Sequence, residues 1–282
     1  MTNRPLRLPQ RLTDGVIVLD GHTIADAQAH WDGEDAEMIR RFEAPGRATI
    51  EQVRDVMQRW REARVNGGPN FPYALRSPEG VLAGGCEVRW LAEPDGALNL
   101  SYWCYPRFRG RGFVGRAVAL TTKAAAGLPD ARQIEAHIDF DNAASRAVAE
   151  SAGFREQGTV TDDAAFGEGR VTRVRYVKPL VHGVELDGET RCAHWHSKLD
   201  IIAIKMKCCG VYHACKDCHD ALAGHDAAVW PRTEWDEKAV LCGACGTELS
   251  VRQYLDCGNV CPSCAAGFNP GCRNHYHFYF ES

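Results

Sequence analysis

The 282-residue chain has no apolar run approaching the ~20 residues that a membrane span requires. Its start, MTNRPLRLPQRLTDGVIVLDG, holds only the short apolar run from Gly15 to Leu19. A secretory signal core needs roughly 7–15 apolar residues, so neither secretion nor membrane insertion is expected. A basic surplus is also missing, with 33 Lys+Arg against 37 Asp+Glu and a formal net charge of -4. Phosphate-backbone binding needs such a surplus, which disfavours nucleic acid as a partner. Cysteine is scarce across the first two thirds, where only Cys86 and Cys104 precede position 190.

What is there is concentrated at the other end. Eleven of the 13 cysteines lie between Cys192 and Cys272, and seven histidines lie between His194 and His277. Residues 1–180 carry 24 basic and 24 acidic side chains, and the remainder carries 9 against 13. The length already exceeds the roughly 100–200 residues of one ordinary domain. We therefore expect a first domain over residues 10–180, a linker over 181–190 and a Cys/His-rich domain over 191–282. An odd number of cysteines cannot pair completely within one chain. Clustered Cys and His in a chain without a leader point to metal rather than disulfides, and to a cytoplasmic location.

The first domain alternates strand-like and helix-like segments. Short strands are expected at Gly15–Leu19 and Phe71–Leu75. A hairpin is expected from Val81–Leu91 and Ala97–Tyr105, around the turn Pro94-Asp95-Gly96. Helices are expected at Phe113–Ala126 and Ala143–Ala152, each followed by glycine. Gln133–Phe140 and Thr172–Val177 alternate as strands, the latter closing the domain. Antiparallel strands followed by helix-linked ones give an α+β layered domain.

The segment PRFRGRGFVGRA, residues 106–117, places Gly110, Gly112 and Gly115 between a strand end and a helix start. Glycines let a ligand approach the backbone, and a helix N-terminus presents unpaired N–H groups and the positive end of its dipole to an anion. A tight turn with a good helix start reads the same way. No Lys-Ser/Thr follows the last glycine, so this is not a Walker loop.

The succession of hairpin, RGRGFV, helix, strand and DFDNAASRAVAESAGF resembles the GNAT superfamily of acyl-CoA-dependent N-acetyltransferases, most of all its RimJ/RimL-like branch. Arg109-x-x-Gly112-x-Val114 follows that family's phosphate loop, with Val114 where Gly or Ala is usual. Asn142-x-x-Ser145 and Gly153-Phe154 match its second segment. The resemblance implies a GNAT-like mixed sheet with flanking helices and acetyl-CoA as cosubstrate. It implies strands splayed around the pantetheine arm at Trp103, Cys104 and Tyr105. It also implies pyrophosphate at Arg109, Gly110, Arg111, Gly112, Phe113 and Val114, with Asn142 and Ser145 near the thioester. Ser145 would protonate the departing thiolate, although Asn142 reads equally as a helix N-cap. Asn99 stands where relatives carry an acid, leaving Glu87 as the next candidate base; it reads equally as a solvent-facing strand residue. Cys104, a lone cysteine in an apolar strand, is expected to be simply buried. The acceptor implied is a small-molecule amine or a protein N-terminus.

In the tail the ligand-type residues come as close pairs: Cys192-x-His194, Cys208-Cys209, Cys215-x2-Cys218-His219, Cys242-x2-Cys245, Cys261-x2-Cys264 and Cys272-x2-His275. Such knuckles bring two side chains to one tetrahedral ion, and thiolate with imidazole favours zinc. The text DIIAIK, CCG, WP, AVLCGAC and FNPGC between them resembles the CHY-type zinc finger. That resemblance implies about three structural zinc ions in a small multi-site domain. The sets implied are Cys192, His194, Cys215 and Cys218; Cys208, Cys209, His219 and His225; and Cys242, Cys245, Cys261 and Cys264. Cys257, Cys272, His275 and His277 remain, either as a fourth site or as supporting and core groups. His196 and His213 are expected at the surface or in the core, and Ile201–Met206, Trp195 and Trp230 in the core. The zinc domain offers a surface for a protein partner. An enzyme with a zinc-stabilised module is thus the leading expectation. A binding protein with a degenerate transferase domain is the alternative.

Overall fold

The computed structural model describes residues 5–164 and 169–281. The chain divides into two compact units, Met1–Leu128 with Gln133–Lys178, and Pro129–Arg132 with Pro179–Ser282.

The first unit opens with β1 (Leu12–Thr13), β2 (Val18–Asp20), α1 (Asp26–Gly33), α2 (Ala36–Arg41) and α3 (Ile50–Asn66). The hairpin follows as β3 (Asn70–Arg76), β4 (Leu82–Trp90) and β5 (Ala97–Cys104). Then come α4 (Phe113–Ala125), β6 (Gln133–Ile138), α5 (Ala143–Ser151), β7 (Arg155–Asp163) and β8 (Arg170–Pro179). The eight strands form one sheet in the order β1-β2-β3-β4-β5-β6-β8-β7, in which the β5–β6 pair is parallel and the β1–β2, β2–β3, β3–β4, β4–β5 and β7–β8 pairs are antiparallel.

In the first unit three helices, α1 to α3, and two strands, β1 and β7, were not expected from the sequence. Helix α3 reads as polar overall, yet Ile50, Val53, Met57 and Trp60 recur on one face, where they meet Ala27 and Trp31. Thr49 and Gln52 close its N-terminus as a capping box, and Gly67, at φ 66°, ends it in the left-handed region. Strand β7 is missed because its residues, REQGTVTDD, are almost all exposed at the sheet edge. The strand expected to close the first domain is therefore the partner of β7.

Residues 181–190, expected as a linker, belong to the second unit. There β9 (Val181–His182) pairs in parallel with β11 (Tyr212–His213), and the Val184 N–H donates to Cys218 Sγ at 3.4 Å. The remaining elements are β10 (Ile202–Lys205), α6 (Lys216–Leu222), β12 (Lys238–Cys242), β13 (Glu248–Ser250) and α7 (Val251–Asp256). The sheet runs β13-β12-β10-β11-β9. Ile201, Ile204, Met206, Trp230, Val240 and Phe268 fill its core. Trp195, expected inside, is 42% exposed. Among the described residues no helix is long and apolar enough to cross a membrane.

Candidate cofactor cleft and metal centres

Strand β5 pairs with β4 along its whole length, from Trp90↔Leu98 to Gly84↔Cys104. Its register with β6 covers only Ala97↔Gln133, Leu98↔Ile134 and Asn99↔Glu135. Beyond Asn99 the two parallel strands part, and the β6-side edge of residues 100–104 has no ladder partner among the described residues. Unpaired main-chain groups of this kind need a polar partner, such as the amides of an extended ligand. The Trp103 carbonyl faces β4 at Gly84, and the Tyr105 N–H donates to the Ala83 carbonyl at 3.0 Å, so by alternation it is Tyr102 and Cys104 whose main chain turns to this edge.

The sheet around Trp103 depends on two glycines. A Cβ on Gly84 would lie 2.2 Å from the Trp103 carbonyl oxygen, and one on Gly85 would lie 2.3 Å from the Trp103 ring. Trp103 is buried against Trp60, with ring centroids 5.6 Å apart, and beside His22. Burial pushes His22 down to about 3, so it is neutral at physiological pH. The Tyr105 hydroxyl lies 2.7 Å from His30 Nδ1. These aromatic contacts were not visible in the sequence, because α1 and α3 were not.

After β5 a 3-10 turn, Pro106–Phe108, leads into the glycine loop. Gly110 and Gly112 sit at φ 73° and 75°, and Cβ atoms built at Gly110, Gly112 or Gly115 would meet nothing within 4 Å. Gly112 is the N-cap of α4 and supplies no side-chain cap, and the first turn of the helix carries no acid. The open cradle and the bare N-terminus of a 13-residue helix therefore fit an anionic pyrophosphate. Phe113 is buried, and Val114 is half-buried in the first turn. Arg111 is exposed and lies over Phe108 at 5.6 Å. Arg109 is committed elsewhere. Its guanidinium donates to both Asp35 carboxylate oxygens, at 2.7 and 3.0 Å, and to the Cys104 carbonyl at 3.1 Å. That fastens the loop to the N-cap of α2.

Asn142 is the N-cap of α5, its Oδ1 accepting the Ser145 N–H at 3.1 Å. Ser145 Oγ donates to the Tyr102 hydroxyl at 2.9 Å, and that hydroxyl donates to the Ser145 carbonyl at 3.1 Å. Tyr102 was not singled out in the sequence; the alternation of Leu100–Cys104 was the available signal, but its partner on α5 was not. Glu87 is not solvent-facing. It is half-buried opposite Ser101, accepts from Asn70 Nδ2 at 2.8 Å, and has its pKa raised by burial. Asn99 is buried, donating to the Glu135 carbonyl and accepting from Arg89 Nε. Cys104 is half-buried and its thiol is pushed up to about 11 by burial, so it is not a ready nucleophile.

In the second unit all eleven cysteines are free thiols. Twelve side chains gather into three quartets whose ligand atoms lie within 4.8 Å of one another. These are Cys192, His194, Cys215 and Cys218; Cys208, Cys209, His219 and His225; and Cys242, Cys245, Cys261 and Cys264. A tetrahedral zinc with bonds of ~2.3 Å to sulfur and ~2.0 Å to nitrogen has edges of roughly 3.3–3.8 Å. In the first quartet Cys192 and Cys215 Sγ are 3.7 Å apart, and His194 Nδ1 lies 3.4 Å from Cys218 Sγ. In the second, Cys208 Sγ and His225 Nε2 each lie 3.3 Å from His219 Nε2. In the third, Cys242–Cys264 and Cys245–Cys261 are both 3.9 Å. The donor sets and spacings fit zinc. The far nitrogens are held too: His225 Nδ1 at the Ala223 carbonyl (2.9 Å) and His219 Nδ1 near Asp220 (3.4 Å).

The four remaining groups do not gather among the described residues. The Cys257 thiol donates to the Tyr254 carbonyl, while the Cys272 thiol is raised by burial. His275 packs on Trp195, and His277 packs on Phe278. His213 is buried against His182 and His219, and His196 is exposed.

The family model of the acetyltransferase (GNAT) domain matches residues 17–155, and that of the CHY zinc finger matches residues 192–269. Helper of Tim protein 13 from Saccharomyces cerevisiae is 38% identical over 109 residues, which is 38% of this chain and 94% of that protein. A putative ribosomal-protein-serine acetyltransferase from Vibrio cholerae has a similar fold, with a TM-score of 0.52 at 12% identity, over 62% of this chain and 99% of the other. RimJ of Mycobacterium smegmatis, solved with CoA-disulfide, gives a TM-score of 0.51 at 19% identity, over 62% of this chain and 86% of its own. At these identities the two structures speak for the fold.

Proposed function

We propose, from the premise that this chain belongs to the CHY zinc-finger proteins through its C-terminal domain and carries a GNAT acetyltransferase domain before it, that it is an acetyl-CoA-dependent N-acetyltransferase. The observation that carries the reading is the parting of β5 from β6 beyond Asn99, which leads straight to the side-chain-free cradle at Gly110 and Gly112. Acetyl-CoA bound there would supply an acyl thioester as electrophile for an acceptor amine. The N–H groups of Arg111, Gly112, Phe113 and Val114 would hold its pyrophosphate, with Arg111 adding charge. The free edge at Tyr102 and Cys104 would pair with the pantetheine amides, and Trp103 and Tyr105 would border the arm. Ser145 holds a proton at Oγ beside the wedge, and Asn142 fixes the start of its helix. Glu87, with its pKa raised by burial, would take the proton of the amine, directly or through water. Arg109 acts indirectly, by tying the loop to Asp35.

The twelve quartet residues would hold about three zinc ions. Each quartet is complete with protein ligands, so the ions would be structural. A reducing compartment, the cytoplasm, suits these free thiols. The acceptor would be a small-molecule amine or a protein N-terminus.

A second reading is a partner-binding protein without efficient catalysis. Asn99, whose buried amide is used up on Glu135 and Arg89, favours it, as does the name of the yeast relative, Helper of Tim protein 13. Titration calorimetry with acetyl-CoA separates the two. The enzyme reading expects micromolar binding, weakened at least tenfold when the Gly112 cradle is filled by Gly112→Val. No binding by the wild-type chain sinks it.

A further inference from the structure

We propose that Tyr102 is the positioning and proton-supplying partner of Ser145, so that the hydroxyl pair rather than the serine alone serves the departing sulfur. The inference rests on the acetyl-transfer reading and deepens it at the same site. Tyr102 lies on the stretch of β5 that has left β6, opposite Cys86 of β4. Cys86 in turn touches Thr121 of α4 at 3.4 Å, which identifies this face of the sheet as the one covered by α4. The phenol makes two bonds to one residue: it accepts from Ser145 Oγ at 2.9 Å and donates to the Ser145 carbonyl at 3.1 Å. An isolated serine hydroxyl is a poor acid and rotates freely. Here its oxygen is held in place, and a more acidic hydroxyl lies in contact with it. Burial raises the phenol to about 12, so it keeps its proton at neutral pH and has one to give.

The proton account closes. When the amine attacks, the C–S bond breaks and its electron pair leaves with sulfur. The Ser145 O–H swings from the Tyr102 oxygen to the sulfur, which takes its proton. The Tyr102 O–H turns from the Ser145 carbonyl to Ser145 Oγ and passes its proton across the same short contact. The proton lost by the amine, released through Glu87 to solvent, balances the one that restores the phenol.

The test needs no acceptor. CoA and desulfo-CoA, which carries hydrogen in place of the thiol, are titrated calorimetrically between pH 7 and 9.5. The proteins are the full-length chain and its Y102F, S145A and double variants. The wild-type chain should prefer CoA several-fold, increasingly so as the thiol ionises near pH ~8.5. Y102F should lose most of that preference and bind desulfo-CoA within twofold of wild type, which also shows that it is folded. The double variant should match S145A, because hydroxyls acting as a unit are not additive. Wild-type preference retained in Y102F, or losses that multiply in the double variant, would overturn the pair. Equal binding of both ligands by the wild-type chain overturns this inference alone. Binding of neither overturns the acetyl-transfer reading together with it.

Discussion

A single buried carboxylate shows how charge is tolerated inside the first unit. Glu135 is 1% exposed, yet it meets both Arg175 nitrogens and His137 Nε2. Burial works against its charge, but the His137 and Arg175 bonds outweigh that and bring the carboxyl down to about 2 from its ordinary 4.5. A lowered carboxyl stabilises the fold above its unfolded value and loses that contribution as pH falls toward the folded one. Wild-type stability should therefore fall from about pH 4.5 toward 2, as measured by urea denaturation. Glu135→Gln should be less stable at pH 7 and show a flatter acid limb. A second residue-scale prediction concerns Gly85. Gly85→Ala would drive a methyl into the Trp103 ring and within 2.8 Å of the Tyr73 carbonyl. Overpacking of this kind costs about 1–3 kcal/mol. Moving Trp103 should also weaken acetyl-CoA binding tenfold or more by calorimetry. Neither residue was singled out by the sequence, because their partners are strand neighbours of distant chain position.

Elements differ in how plainly their own residues announce them. Strands β4 and β5 and helices α4 and α5 lie within a few residues of expectation, because each couples an apolar pattern to an adjacent glycine or turn. Helix α3 had the required period but was hidden by its charge. Its N-terminus offers a clean measurement, since the Thr49 hydroxyl accepts the Gln52 N–H at 3.3 Å. Thr49→Ala should cost about 1 kcal/mol in a denaturant melt. A loss below a few tenths would mean that packing of Val53 and Met57, not the cap, holds the helix. Knuckles such as Cys242-x2-Cys245 were legible for the opposite reason: ligand spacing is local.

At the scale of the molecule, two compact units draw on different sources of order. The first has an eight-stranded sheet and a packed apolar core. The second has a smaller core and three quartets of thiol and imidazole. Metal binding should therefore be folding energy for the second unit. Metal analysis of the purified chain should give about three zinc ions. Cys245→Ser should remove one and lower the melting temperature of the zinc-dependent transition, while acetyl-CoA affinity stays within twofold. One ion or none in the wild-type chain would refute the three-centre arrangement.

The sequence by itself determined the two-part organisation, the glycine cradle before α4, the N-cap at Asn142 and the membership of the metal pairs. The first is legible in where the cysteines fall along the chain, and each of the other three is written within a dozen or so consecutive residues, where spacing alone sets geometry. Only the tertiary structure decided the rest. It turned Arg109 toward Asp35, placed Tyr102 against Ser145 and brought Glu87, half-buried, against Asn70. It also drew residues 181–190 into the second unit and left Cys257 and Cys272 outside any quartet of the described residues. Those outcomes depend on which face of a strand or helix meets which neighbour, and side chains tens of residues apart choose their partners only when the sheet and its helices close.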